Sequence, residues 1–191
     1  MNLRNGEGIK GTLFICSTPI GNLEDSSFRL IKTLNEVDLI AAEDTRTIKK
    51  LLTKYDIKGK NIISYHDFSK ESRIDHIIDR LETGYDIALV SESGTPAIQD
   101  PGFKVIKRCI EKKIPLTVIP GPNAAVSALV LSGLPTDSFL FVGFLPRPKG
   151  KRKARILELA PIPSTLIFYE SPKRVETLIG ELAEIFGDRR A

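Results

Sequence analysis

Cysteine and histidine are scarce in this chain, two of each among 191 residues. Cys16 and Cys109 stand far apart, one in a strand-like run and one on a helix-like face, and neither forms a Cys-x-x-Cys unit. His66 and His76 lack metal-ligand spacing with either cysteine. Buried reduced thiols are therefore expected in place of a disulfide or a zinc site. No apolar stretch approaches the roughly 20 residues of a membrane span, and residues 1–10 are polar and glycine-containing, without a hydrophobic signal core. A soluble cytoplasmic protein with a flexible N-terminus over residues 1–10 is the expectation. Neither Gly-x-Gly-x-x-Gly nor Gly-x-x-x-x-Gly-Lys-Ser/Thr occurs, so the usual dinucleotide and P-loop fingerprints are missing.

What the chain does have is positive charge and punctuated apolar runs. A formal charge of +4 suggests an anionic partner. Arg147, Lys149, Lys151, Arg152, Lys153 and Arg155 fall close together beside Pro146, Pro148 and Gly150. Such a run reads either as a solvated loop or as a set of phosphate contacts.

The apolar runs alternate with helical patterns. Strands are predicted at 11–17, 37–42, 61–65, 86–91 and 115–119. Asp25 or Ser26 is expected to cap a helix with Phe28, Ile31 and Leu34 on its buried face. The next helix buries Ile48, Leu51, Leu52 and Tyr55. Ser69 caps another, with Ile74, Ile77, Ile78 and Leu81 in a stripe, and Gly84 supplies a left-handed stop. Asp100 and Pro101 read as the start of a helix with Phe103, Ile106 and Ile110 facing inward, and Pro122 suits a further start. This succession implies a mostly parallel five-stranded sheet with helices on both faces, spanning 11–134. After Leu134 the rhythm changes. Strands at 139–144 and 165–169 flank a basic loop and a helix from about Lys151 to Leu159. A last helix begins at Ser171 and Pro172, with Val175, Leu178, Ile179, Leu182 and Phe186 inward. Residues 135–191 are thus expected to form a second, smaller and incomplete α/β domain.

Three strand ends carry Gly/Pro turns: Ser17-Thr18-Pro19-Ile20-Gly21-Asn22, Ser91-Glu92-Ser93-Gly94-Thr95-Pro96 and Pro120-Gly121-Pro122-Asn123. A strand ending in such a turn before a helix is how an open parallel sheet builds a ligand crevice. Glycine there permits close backbone approach.

Together with Ala42-Glu43-Asp44-Thr45-Arg46 and Tyr169-Glu170-Ser171-Pro172, these segments occur in an order that resembles the tetrapyrrole methylase superfamily, and within it the ribosomal RNA methyltransferase subgroup. The resemblance runs from about Gly11 to Ala191. It implies a two-domain α/β enzyme that holds S-adenosylmethionine between its domains. It further implies methyl transfer to the ribose 2′-hydroxyl of a cytidine in small-subunit (16S) ribosomal RNA, or on the assembled subunit, by a homodimer. By motif position it places Pro19, Ser93, Gly94, Thr95, Ile98, Asn123, Ala124 and Glu170 near the cofactor. Thr95 stands where tetrapyrrole-modifying members carry aspartate, and Glu92 where the ribosomal RNA subgroup carries one. The family's second domain continues past the point where this chain stops, so the chain is expected to be a fragment.

A ribose hydroxyl is a poor nucleophile, so a base or an oxyanion-stabilising cation is expected near it. Asp44 and His66, both at strand ends, are candidate bases, and Arg46 a candidate phosphate or oxyanion partner. The plainer alternatives are that Asp44 caps a helix, that Arg46 pairs with Glu43 and that His66 bonds within a loop. Arg147, Lys149, Lys151, Arg152 and Lys153, with Lys173 and Arg174, form a candidate RNA phosphate track. Two alternatives stand beside the RNA methyltransferase: a relative acting on a tetrapyrrole or other small molecule, and a non-catalytic RNA-binding or ribosome-assembly module.

Overall fold

The computed structural model describes residues 10–66 and 71–191. The chain forms two compact units, Met1–Asn123 and Ala124–Ala191. The expected N-terminal segment 1–10 (all but Lys10) and the Ser69 cap lie outside the described residues.

Five short strands build the first unit: β1 (Leu13–Cys16), β2 (Leu39–Ala42), β3 (Asn61–Ser64), β4 (Ile87–Val90) and β5 (Leu116–Ile119). They pair in parallel in the order β3-β2-β4-β1-β5. The registers set Ser64, Ala42, Val90, Cys16 and Ile119 in one row, so all five strands end at the same edge. Helices α1 (Phe28–Glu36), α2 (Thr45–Lys54), α3 (Glu71–Glu82) and α4 (Phe103–Glu111) make the crossovers.

Alternate strand residues face opposite ways. Leu13, Ile15, Leu39, Ile87 and Leu89 pack with Ile74, Ile77 and Leu81 of α3 and Val105 and Cys109 of α4. Cys16, Ile40, Ala88 and Val90 pack on the other face with Leu30 and Leu34 of α1 and Ile48, Leu51 and Leu52 of α2. Both cysteines are buried and free, and burial pushes the Cys16 thiol up to about 12 and that of Cys109 to about 11.

Two helix starts and two stripes differ from expectation. Leu23–Asp25 form a single 3-10 turn, and α1 is capped by Ser27, whose Oγ accepts from the Leu30 N–H at 3.1 Å. Moving the start forward rotates the face. Leu30 and Leu34, four residues apart, are fully buried, whereas Phe28 is 96% exposed. Asp100 and Pro101 lie in a turn before α4, whose N-cap is Gly102 with φ 147°. Its buried pair is Val105 and Cys109; Phe103 and Ile110 are exposed and Ile106 packs only partly. Gly84, with φ 94°, does end α3 in a left-handed turn.

The second unit contains α5 (Ala124–Ser132), β6 (Phe139–Phe144), α6 (Lys149–Leu159), β7 (Thr165–Tyr169) and α7 (Val175–Phe186). Strands β6 and β7 pair in parallel, with a register shift between Phe141 and Gly143. Ile167 of β7 packs with Ala125 and Leu129 of α5. Its neighbours Leu166 and Phe168 face Ile156 and Leu159 of α6 and Leu178 of α7. Helix α5 therefore belongs with the second unit, although the sequence rhythm puts the boundary ten residues later, near Leu134. It starts at Ala124, two residues beyond Pro122. Helix α7 starts at Val175, because the Ser171 carbonyl turns the chain by accepting from the N–H groups of Arg174 and Val175. On it Leu178 is buried and Leu182 and Phe186 half-buried, while Val175 and Ile179 are exposed.

These faces give a direct stability contrast. Leu30→Ala should cost about 2–5 kcal/mol in chemical denaturation, and Phe28→Ala should stay within about 0.5 kcal/mol of the parent.

Candidate functional site at the strand ends

Strands β4, β1 and β5 are neighbours, so the three Gly/Pro turns leave the sheet side by side. The first two are locked together by backbone. Thr18 N–H donates to the Gly94 carbonyl at 2.8 Å, and Gly94 N–H returns to the Thr18 carbonyl at 3.0 Å. Side chains reinforce the pairing: Ser17 Oγ and Thr95 Oγ1 share a hydrogen bond of 2.9 Å, and Ser91 Oγ donates to the Gly94 carbonyl at 3.2 Å. The third turn closes in through Gly121. A Cβ there would sit 3.0 Å from Ser17 Cβ and 3.3 Å from the Ser17 carbonyl oxygen, so a larger residue must push the β5 turn off β1. Helices α1 and α4, which follow β1 and β4, cover opposite faces of the sheet. A crevice outside two such strand ends is the usual ligand position in an open parallel sheet.

Two further features mark this edge. Gly94 has φ 78°, and the loop behind it holds two non-glycine residues in the left-handed region, Ala97 (φ 70°) and Gln99 (φ 63°). Each costs on the order of 1 kcal/mol and persists only where the surroundings impose it. Here the Ala97 N–H is held by the Pro101 carbonyl at 3.3 Å, and the Ile98 N–H by that of Thr95 at 3.3 Å. The second feature is Thr18. It is 4% exposed, and its Oγ1 is the one buried side-chain polar atom without a partner among the described residues. A buried hydroxyl left unpaired costs about 1–3 kcal/mol.

The structure gathers Pro19, Ser93, Gly94 and Thr95 around this bridge, with Pro19 buried, Ser93 exposed and Ile98 farther along the loop at 43% exposure. Asn123 ends the β5 turn. Ala124 and Glu170 belong to the second unit, where Ala124 opens α5 and Glu170 follows β7. The Glu170 carboxylate pairs with Arg174 Nη2 at 2.5 Å and accepts from the Ser171 N–H at 2.7 Å.

The three candidate chemical residues do not join that cluster. Asp44 is the N-cap of α2: its Oδ1 accepts from the Arg46 N–H at 2.7 Å, and its Oδ2 takes Arg46 Nη2 at 2.6 Å. The Arg46 side chain and backbone N–H, both bonded to it, hold the Asp44 carboxyl well below the usual range, which makes it a poor proton acceptor at neutral pH. Arg46 thus pairs with Asp44, not with Glu43. Glu43 Oε2 instead accepts from the Glu92 N–H at 3.0 Å, tying the end of β2 to that of β4. His66 follows the edge strand β3, three strands from β1, or roughly 14 Å at a strand spacing of about 4.8 Å.

The basic run is not a loop. Lys149 to Arg155 lie on α6, and several of its cations are engaged. Arg152 forms a bidentate pair with Glu181 of α7, Nε to Oε2 at 2.6 Å and Nη2 to Oε1 at 2.7 Å, and donates Nη1 to the Arg147 carbonyl at 2.6 Å. Both partners are only 13% exposed. Lys153 pairs with Glu184 at 2.7 Å, Arg155 with Glu158 at 2.8 Å, and Arg174 with Glu170. Arg147, Lys149, Lys151 and Lys173 are exposed without an ion pair among the described residues.

Sequence reasoning fixed on Pro19 in the first turn and passed over Ser17 and Thr18. Two buried hydroxyl residues between a strand and a proline are the signal that pointed to them. The left-handed Ala97 and Gln99 carry no such signal in their residue types.

The chain matches the family of tetrapyrrole (corrin/porphyrin) methylases over residues 12–191. It is 52% identical over 180 residues to "Ribosomal RNA small subunit methyltransferase I" of Halalkalibacterium halodurans, covering 94% of this chain and 62% of that protein. The protein of the same name from Bacillus subtilis is 45% identical over 185 residues, covering 97% and 63%. The chain thus spans about three fifths of the length of these relatives. Among solved structures, uroporphyrin-III C-methyltransferase of Thermus thermophilus shares the fold, with a TM-score of 0.63, 19% identity and coverage of 93% of this chain and 76% of that one.

Two outcomes follow from the geometry. Thr18→Val removes an unpaired hydroxyl, so the ligand-free chain should be as stable or more stable, by up to about 1 kcal/mol in denaturation. Arg152→Ala should lower stability by on the order of 1 kcal/mol and change its acid dependence. The hydrogen bond from Arg152 lowers the Glu181 carboxyl below its ordinary 4.5, so this pair stabilises above that value and its contribution is lost as pH falls through the depressed one. Melting curves from pH 7 to pH 3 should show a shallower acid loss in Arg152→Ala than in the parent.

Proposed function

The chain belongs to the tetrapyrrole methylase family, and from that footing we propose that it carries the S-adenosylmethionine-binding part of a methyltransferase acting on small-subunit ribosomal RNA. The finer reading is transfer to the 2′-hydroxyl of a cytidine, with naked RNA or the assembled subunit as substrate and a homodimer as the working form. The observation that carries the cofactor part is the buried, unpartnered Thr18 Oγ1 beside the Thr18–Gly94 bridge, at a crevice between strands whose helices leave on opposite faces. The similarity to proteins named for ribosomal RNA supports the substrate part.

The residues present fit the cofactor. Thr18 Oγ1 has a hydrogen bond to give or accept, Gly94 carries no Cβ at the bridge, Ile98 offers exposed apolar surface, and Pro19 is buried beside Thr18. Ser93, Thr95 and Asn123 complete the first unit's set in this reading. When bound, S-adenosylmethionine supplies an electrophilic methyl group on a sulfonium centre.

The chain's own residues then have limited work to do. The turns around Thr18 and Gly94 orient, because the two backbone hydrogen bonds of their bridge remove their freedom before any ligand arrives. Asp44 serves as cap and anchor for Arg46 and does not take the ribose proton. Arg46, 86% exposed at its side chain, presents the remaining positive charge to a phosphate or developing oxyanion. His66 is the other proton acceptor named on this edge, and its place three strands from β1 makes positioning the larger contributor to rate.

Titration calorimetry of the parent with S-adenosylmethionine should give a saturable heat, and Thr18→Val should weaken it about five- to tenfold, the effect of one hydrogen bond. A well-folded parent without any heat would overturn the cofactor reading. Tritiated methyl transfer to small ribosomal subunits, and none to porphyrinoid acceptors, is the expected substrate result; the reverse pattern would replace the RNA reading with a small-molecule one.

A further inference from the structure

Helix α2 carries Arg46, Lys49, Lys50 and Lys54 and no acidic residue. Arg46, Lys49, Lys50, Thr53 and Lys54 have the i, i+3, i+4, i+7, i+8 spacing of one helix face, opposite the buried Ile48, Leu51 and Leu52. Those five side chains line a shallow open depression of about 560 Å³. Several cations of α4 and α6 are instead answered by carboxylates on the helix packed beside them. Lys104 meets Glu71 at 3.4 Å, Arg108 meets Asp75 at 2.8 Å, and Arg152 and Lys153 meet Glu181 and Glu184. On α2, Arg46 is held by Asp44 and Lys54 reaches Glu24 at 3.7 Å, while Lys49 and Lys50 have no ion pair among the described residues. Like charges at these spacings repel one another, and an anion laid along the face relieves that repulsion.

The position of the face matters as much as its charge. Helix α2 starts directly after β2, whose last residue Ala42 lies in the same row as Val90 and Cys16. The cationic face thus begins at the edge of the sheet from which the three turns leave.

We infer that the α2 face is a phosphate-contact surface for RNA, gripping the substrate backbone beside the crevice. This rests on the RNA reading above and assigns it a surface of which the sequence reading named only Arg46. Lysines bring point charges without base readout, so the surface holds and orients the strand and does not select its sequence. A membrane surface is a poor match, because such faces pair cations with apolar anchors and this one offers only Thr53 between its charges.

The test is the salt dependence of binding to transcribed small-subunit ribosomal RNA, measured between 50 and 300 mM salt (roughly the range over which counterion release is read). Lys49→Ala/Lys50→Ala should weaken binding and reduce the slope of log affinity against log salt by about 1–2, with S-adenosylmethionine affinity unchanged. Lys104→Ala/Lys107→Ala removes the same charge from α4 and should leave the slope intact. An unchanged slope in the α2 variant while the parent binds RNA would overturn the surface alone. Equal loss in both variants would reduce it to net charge and overturn it too. A parent that binds S-adenosylmethionine but not RNA would remove the RNA reading together with the surface. Tighter binding of poly-glutamate than of RNA by the parent would assign the face to an acidic protein instead.

Discussion

The first unit is organised by the pairing of β1 with both β4 and β5 in a common register. Because the three strands are parallel and end in one row, their turns must leave at the same edge and compete for the same space. That competition is resolved by residues without a Cβ or with a fixed φ. Gly121 lets the third turn rest against Ser17, Gly94 turns left-handed to meet Thr18, and Pro19 holds the chain between them. Proximity of the turns is thus a consequence of sheet order, and the small residues are what that order requires. Helices α1 and α4 pack on opposite faces of the sheet, so the chain direction reverses between the β1 and β4 turns.

Charge is distributed by a different rule. Where two helices pack side by side, as α3 with α4 and α6 with α7, cations are answered by carboxylates across the interface. Arg152 is the extreme case: half-enclosed between helices, it satisfies a carboxylate and a backbone carbonyl at once and has little left for a polyanion. On helix α2 Lys54 reaches Glu24, while Lys49 and Lys50 have no ion pair among the described residues. Local density of Lys and Arg in the sequence therefore says little about where a polyanion would bind; the presence of acidic residues on the adjoining helix decides it.

Much of the sheet was legible in the sequence because buried parallel strands read as short apolar runs between turn residues, and all seven strands lie within the predicted ranges. The stripes of α2 and α3 were legible for the same reason, since Ile48, Leu51 and Leu52, and Ile74, Ile77, Ile78 and Leu81, have no apolar competitors on their helices. Helices α1 and α4 were misread where a competitor existed. Each carries an aromatic at its first position, Phe28 and Phe103, one or two residues later than the expected start, and in both the ring is exposed. The basic segment was misread because Pro146, Pro148 and Gly150 suggest a loop, whereas Pro148 sits at the N-cap of α6 and leaves the cations on a helix. At the site, glycine and proline advertised the turns. The hydroxyl that the turns leave unsatisfied depends on which partners reach it in space, and no spacing along the chain encodes that.

The unpaired Thr18 hydroxyl lies at the bridge between β1 and β4, and the left-handed Ala97 and Gln99 lie in the loop just behind it. Each raises the free energy of the ligand-free chain, and together they amount to a few kcal/mol against a total stability of about 5–15 kcal/mol. A fold selected for stability alone would remove them by ordinary substitutions such as valine for Thr18. In the cofactor reading proposed above, a molecule that binds only the folded state offsets these costs in proportion to the logarithm of its concentration over its dissociation constant. The strained loop behind Gly94 and the unmet hydroxyl in front of it therefore belong to one device. On the proposed reading, the cost of holding the turns in place is met in the folded chain itself, so that S-adenosylmethionine does not have to order them.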